Sequence, residues 1–111
     1  MLPEDRIRLL HMIESAEAVS TFVRGRDRQD LNTDTMLLFA MVRAVEIFGE
    51  AAAKVSSSAK ALNPKLPWQQ IVAMRNRLVH AYFDIDRDIL WKTATEEIPA
   101  LVPDLKDLIG E

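Results

Sequence analysis

The segment Arg75-Asn76-Arg77-Leu78-Val79-His80-Ala81-Tyr82 gathers the side chains of this chain best suited to chemistry on a phosphodiester. A histidine can take or give a proton near neutral pH, and an arginine can stabilise the charge that builds on a phosphate in its transition state. On a helix, Asn76 and His80 are four apart and share a face, whereas Arg75 lies about 140° round from His80, a gap that a long guanidinium can cover. No other cluster in the chain combines these abilities. Taken alone, the spacing fits equally a histidine that complements the negative end of a helix dipole.

Metal chemistry has little to work with. There is no cysteine, which excludes disulfides, thiolate sites and a cysteine nucleophile, and His11 and His80 are the only histidines, with no ligand-like spacing around either. The site is expected to need neither metal nor cofactor. Lack of cysteine suits a reducing compartment. The first residues, MLPEDRIRLLHMI, carry charges and no apolar stretch of signal-peptide length, and the longest mostly apolar run, 36–42, is too short to span a bilayer. A cytoplasmic protein with no membrane association is expected.

A chain of 111 residues that is 49% hydrophobic and 28% charged suits one globular domain over 1–111. The net charge of −3 argues against a general nucleic-acid coat, since nonspecific affinity comes from neutralising phosphates. That average hides an asymmetry. Residues 1–80 carry 11 basic and 9 acidic side chains, residues 81–111 carry 3 and 8, so a phosphate-facing surface belongs to the first part.

The elements that must position the segment are helical. Pro3, Glu4 and Asp5 open an apolar pattern that predicts a helix over about 4–24, and Gly25 with the polar stretch 26–33 reads as a loop. Asn32 and Thr33 are the capping candidates for a second helix over about 34–58. Apolar residues cover most of its circumference and leave Arg43, Glu46, Glu50 and Lys54 as one polar stripe. A helix so apolar is buried on more than one side, and in a small chain the second surface can be another copy of the protein, so a homodimer is expected. Pro67 suits the first position of a third helix over about 67–80, which would carry the reactive segment. A fourth helix starts near Arg87 and should break near Glu97, because Pro99 and Pro103 fall inside the last pattern, with a short fifth helix beyond. No strand alternation or hairpin dipeptide stands out. The expected class is all-α, an antiparallel bundle of four to five helices.

The longer stretch Pro67 to Asp86, PWQQIVAMRNRLVHAYFDID, resembles the signature of HepT-like toxins in the HEPN superfamily, and Ala44 to Ala51, AVEIFGEA, is similar to the family's other recurrent stretch. The resemblance extends over nearly the whole chain, with Ala81 where glycine is commoner before the tyrosine. It implies metal-independent endoribonuclease activity through an Arg-x4-His motif at a dimer cleft, with the ribose 2′-hydroxyl attacking the adjacent phosphate. On that basis His80 is general base or acid, Arg75 holds the scissile phosphate, Asn76 orients one of them, and Arg77 adds positive charge. It also implies a toxin-antitoxin pair, in which a minimal nucleotidyltransferase antitoxin silences the toxin by transferring AMP to Tyr82. A second possibility is a catalytically silent helical subunit that presents a nucleotide or partner to such a transferase.

Other residues carry plainer expectations. Glu46 and Glu50 orient Arg75 or His80, Glu46 being the stronger candidate, or else pair with Arg43 and Lys54 within their own helix. Gly49, costly inside a helix, marks a close helix approach. Arg24, Arg26 and Arg28 read as a solvated loop interrupted by Asp27 and Asp30, Trp68 and Trp91 as packing residues, and His11 as structural.

Overall fold

In the computed structural model, residues 1–81 and 83–110 are described. Helix α1 (Pro3–Val23) has Pro3 and two acids in its first turn, as its pattern predicts, and Gly25 takes a left-handed conformation (φ 72°) just beyond its end. The following polar stretch is no simple loop. It contains a short helix α2 (Asp30–Thr33), and this displaces the expected cap: Asp34, not Asn32 or Thr33, accepts from the Leu37 amide at 3.0 Å and starts α3 (Thr35–Lys54). Arg26 donates to both Asp30 (3.2 Å) and Asp34 (2.6 Å); the Asp27 amide, at 2.9 Å, and then Arg26 hold the Asp30 carboxyl below the usual aspartate range, and Arg26 with the Leu37 amide does so for Asp34.

Helix α3 ends at Lys54, four residues short of the expected boundary. The cause lies on α1. The buried Asp5 carboxylate accepts from the Ser56 hydroxyl (2.7 Å) and the Ser56 amide (2.8 Å), drawing Ser56 out of the helix, and Ser56 then caps α4 (Ser57–Lys60). These two bonds, the hydroxyl first, hold the Asp5 carboxyl below its ordinary value.

Leu9, Met12, Ile13, Ala16 and Val19 of α1 and Met41, Val45, Phe48 and Ala52 of α3 are buried in one core, α1 and α3 packing along their lengths. The expected close approach occurs at Gly49: a β-carbon there would sit 3.1 Å from the Ile71 carbonyl oxygen, so α5 (Trp68–Val72) lies directly on α3.

The third expected helix, 67–80, is not one helix. It breaks at Ala73 (φ −87°, ψ 0°), resumes as α6 (Met74–Leu78) and gives way to an antiparallel ribbon of β1 (Val79–Ala81) and β2 (Asp84–Ile85). Val79 pairs with Ile85 and is buried, and the Asp86 amide donates to the Leu78 carbonyl at 2.7 Å, so the ribbon continues to the helix end. The expected lack of strands is thus corrected: pairing Val79 with Ile85 suits a β-branched residue better than a further helical turn.

Asp86 caps α7 (Arg87–Lys92) by accepting from the Ile89 amide at 3.0 Å. The predicted break near Glu97 is a π-helical turn, Thr93–Glu97, leading without interruption into α8 (Ile98–Leu108). Pro99 has no N–H and its ring crowds the carbonyl four residues back; a π turn accommodates it in the first turn of α8, while Pro103 lies within α8. The chain is mostly helical, as the all-α class requires, in more and shorter pieces than the four or five expected. No helix among the described residues is long and apolar enough to cross a membrane.

Candidate active site

Helix α6 is pinned by Met74 and Leu78, four apart and both buried, which turns Arg75, Asn76 and Arg77 outward. Arg75 reaches back to α3, where its Nε donates to Glu46 Oε2 at 2.9 Å. Arg43 Nη1 also approaches Glu46, at 3.9 Å, and Glu50, at 3.5 Å, so Glu46 contacts both arginines. Arg77 turns the other way. Its Nη2 donates to both oxygens of Glu97 at 3.0 and 3.3 Å, and Glu97 also accepts from the buried Thr93 hydroxyl at 3.3 Å. The two arginines are therefore held by different carboxylates on different elements.

His80 is exposed, but it does not share a helical face with Asn76, because it stands on β1. Between Val79 and Ala81 the strand advances two residues while β2 advances one, so His80 is the extra residue of a β-bulge with no Cα partner. Bulges turn a side chain away from the regular ladder, and here the buried neighbour Val79 fixes the base from which His80 projects. Asn76 is exposed. No hydrogen bond joins Arg75, Asn76 and His80 to one another among the described residues. Tyr82 lies outside the described residues.

Phe39 and Val42 of α3, Glu46, Arg75, Val79 and Ile85 line a hollow of about 290 Å³ beside this segment. One side of it is apolar and includes Phe39 (61% exposed), on the face of α3 that also carries Glu46. Such a hollow can take an anion on Arg75, since Glu46 occupies only Nε of a side chain with five N–H donors. Among the described residues no three His, Asp or Glu side chains gather as metal ligands.

The remaining expectations divide. Arg26 pairs with Asp30 and Asp34, and Arg28 pairs with Asp88 and donates to the Asn32 side-chain carbonyl. Trp68 is half-buried and donates from Nε1 to the Asn63 carbonyl. His11 is exposed on α1, not packed in the core. Glu97 was not legible as a partner of Arg77, because twenty residues separate them and the π turn that aims it leaves no pattern in the sequence.

Comparison with known proteins identifies a family. A protein-family model described as ribonuclease HepT-like matches residues 12–108. A protein of Thermococcus cleftensis named "Probable ribonuclease HepT" is 41% identical over 88 residues, 79% of this chain and 80% of the relative. Two proteins named as putative RNases are also similar: one of Methanocaldococcus jannaschii, 36% identical with 84% and 85% of the two chains covered, and one of Caldanaerobacter subterraneus, 34% identical with 91% and 90% covered. No solved structure gives a significant match. On the family match and these relatives together, the chain belongs to the HepT-like ribonuclease family.

Proposed function

We propose that this single domain is a metal-independent endoribonuclease, the toxin of a toxin-antitoxin pair, acting as a cytoplasmic homodimer whose helices form an antiparallel bundle. The observation that carries the proposal is the pairing of Arg75 with Glu46 beside the bulged, exposed His80. Arg75 takes the scissile phosphate through its remaining N–H groups and stabilises its transition state. His80 removes the proton of the ribose 2′-hydroxyl or delivers one to the leaving 5′-oxygen, and Asn76 orients the phosphate or the imidazole. The 2′-oxygen forms a bond to phosphorus as the bond to the 5′-oxygen breaks, leaving a cyclic phosphate and a free hydroxyl.

One protomer offers a single His80, and acid and base must act on opposite sides of the phosphate. The exposed Phe39 at the rim of the hollow supports a second copy closing over it, which would bring a second Arg75 and His80 into one cleft. Silencing is assigned to a nucleotidyltransferase antitoxin that transfers AMP to Tyr82: the added phosphate would compete with RNA for Arg75 and repel its backbone.

The test is purified protein with defined RNA in the presence of a chelator, alongside His80→Ala. Cleavage by the wild type and none by His80→Ala is expected. Equal cleavage by both would sink the catalytic assignment.

A further inference from the structure

A second hollow, of about 180 Å³, opens between α1 and α3 and is lined by Arg8, His11, Arg43, Glu50 and Lys54 together with the apolar stems of Ile47 and Ala51. It gathers cations in a chain that is acidic overall. The protein carries −3 overall, and Arg26, Arg28 and Arg77 are each matched to acids, yet Arg8, His11 and Lys54 have no acidic partner among the described residues. Glu4 and Glu14 stand on the same helix as Arg8 and His11 and form no ion pair with them. Arg8, Arg43 and Lys54 thus face one carboxylate, Glu50, across a hollow open to solvent.

The hollow is also joined to the candidate active site. Arg43, in its wall, approaches Glu50 at 3.5 Å and Glu46 at 3.9 Å, and Glu46 holds Arg75 at 2.9 Å. Glu46 and Glu50 are four residues, about 6 Å, apart along α3, so the wall of this hollow adjoins the carboxylate that holds Arg75.

We propose that this hollow binds a backbone phosphate of the single-stranded RNA substrate, adjacent to the phosphate that Arg75 holds. The inference rests on the ribonuclease reading and extends the same site along the strand. Guanidiniums match a phosphate bidentately, Lys54 adds a point charge, and Arg43 can exchange its long contact with Glu46 for the incoming oxygen. Because such contacts read no base, they would set affinity for longer RNA without setting sequence preference.

The test uses the full-length protein and fluorescent 2′-O-methyl RNA, a dinucleotide and a dodecamer, which lack the attacking hydroxyl. Arg8→Gln with Lys54→Gln should weaken dodecamer binding about tenfold. It should also make the dependence of log affinity on log salt shallower by about 0.7, the value for one phosphate on a single strand. Lys65→Gln with Lys92→Gln, the same change of charge on other exposed positions, should move neither quantity. Circular dichroism reports whether each variant is folded. Dodecamer affinity and salt slope equal to the parent's in the folded double variant, or an equal loss in the control pair, overturn the phosphate site. Cleavage of unmodified RNA by the wild type is scored separately: a wild type that cuts nothing, yet binds the dodecamer through Arg8 and Lys54, overturns the enzyme reading and keeps the hollow.

Discussion

Glu46 holds Arg75 by Nε, 2.9 Å from Oε2, across the gap between α3 and α6, so the terminal Nη groups of the arginine have no partner among the described residues. A carboxylate that grips the stem end of the guanidinium fixes its plane and leaves its fork for a phosphate. Glu46→Gln is expected to lower kcat about tenfold to a hundredfold through misplacement of Arg75, with KM changing less. Both side chains are partly exposed, so the melting temperature should hardly move. Steady-state kinetics and thermal melts of the same preparation check this, and Glu46→Asp should recover part of the loss.

Removing the proposed reacting groups themselves should cost more. His80→Ala and Arg75→Ala are expected to lower RNA cleavage about 10²- to 10⁴-fold with helicity unchanged, as each side chain is exposed and carries no core packing. EDTA should leave the wild-type rate unaltered. Loss of rate in EDTA that returns with magnesium or zinc would refute metal independence.

Phe39 projects from α3 at the rim of the hollow that Arg75 lines. If a second copy covers this rim, Phe39→Asp places an unpaired charge in the interface and should give monomers that no longer cleave. Light scattering gives the mass of the soluble species. A variant that keeps twice the chain mass would place the interface elsewhere.

Gly49 sets how closely α5 rides on α3. A β-carbon there would meet the Ile71 carbonyl oxygen at 3.1 Å and that of Val72 at 3.4 Å, both backbone atoms. Gly49→Val should cost about 1–3 kcal/mol, as overpacking does, and because α6 follows α5 after a single residue it should also lower activity. Denaturant melts and the cleavage rate measure the two effects. In Gly49→Ala the gain of about 1 kcal/mol in helix propensity works against the crowding, so stability should change less than in the valine variant.

Asp5 predicts an acid limit to stability. Its folded carboxyl, held down by the Ser56 hydroxyl and amide, lies below the ordinary 3.8, so the folded state binds the proton less readily than the unfolded chain. The stabilisation is fully present above that ordinary value and disappears as pH falls through the lowered one. Asp30 and Asp34 share the direction and add to the same loss. Asp5→Asn should therefore be less stable than wild type near neutral pH, and the difference should shrink below about pH 4. Urea midpoints from pH 7 to pH 2 test it, and a difference constant across that range would contradict it.

Much of this was determined by the sequence. The apolar periods of α1 and α3, the acids after Pro3 and the glycine inside α3 are local features, and each constrains its own helix whatever packs against it. The candidate site residues were legible for the same reason, since residue type fixes what Arg75, Asn76 and His80 can do. Their geometry was not. Whether Val79 continues a helix or starts a strand depends on Ile85, which gives it a buried partner across a turn, and a period of two cannot be recognised over three residues. The bulge that sets His80 outward, the Asp5 carboxylate that ends α3 at Lys54, and the π turn that aims Glu97 at Arg77 are likewise decided between segments distant in the chain. In each case a few tertiary contacts outweigh helix propensities that differ by only about 1 kcal/mol per residue, and only the folded arrangement determines which contacts are made.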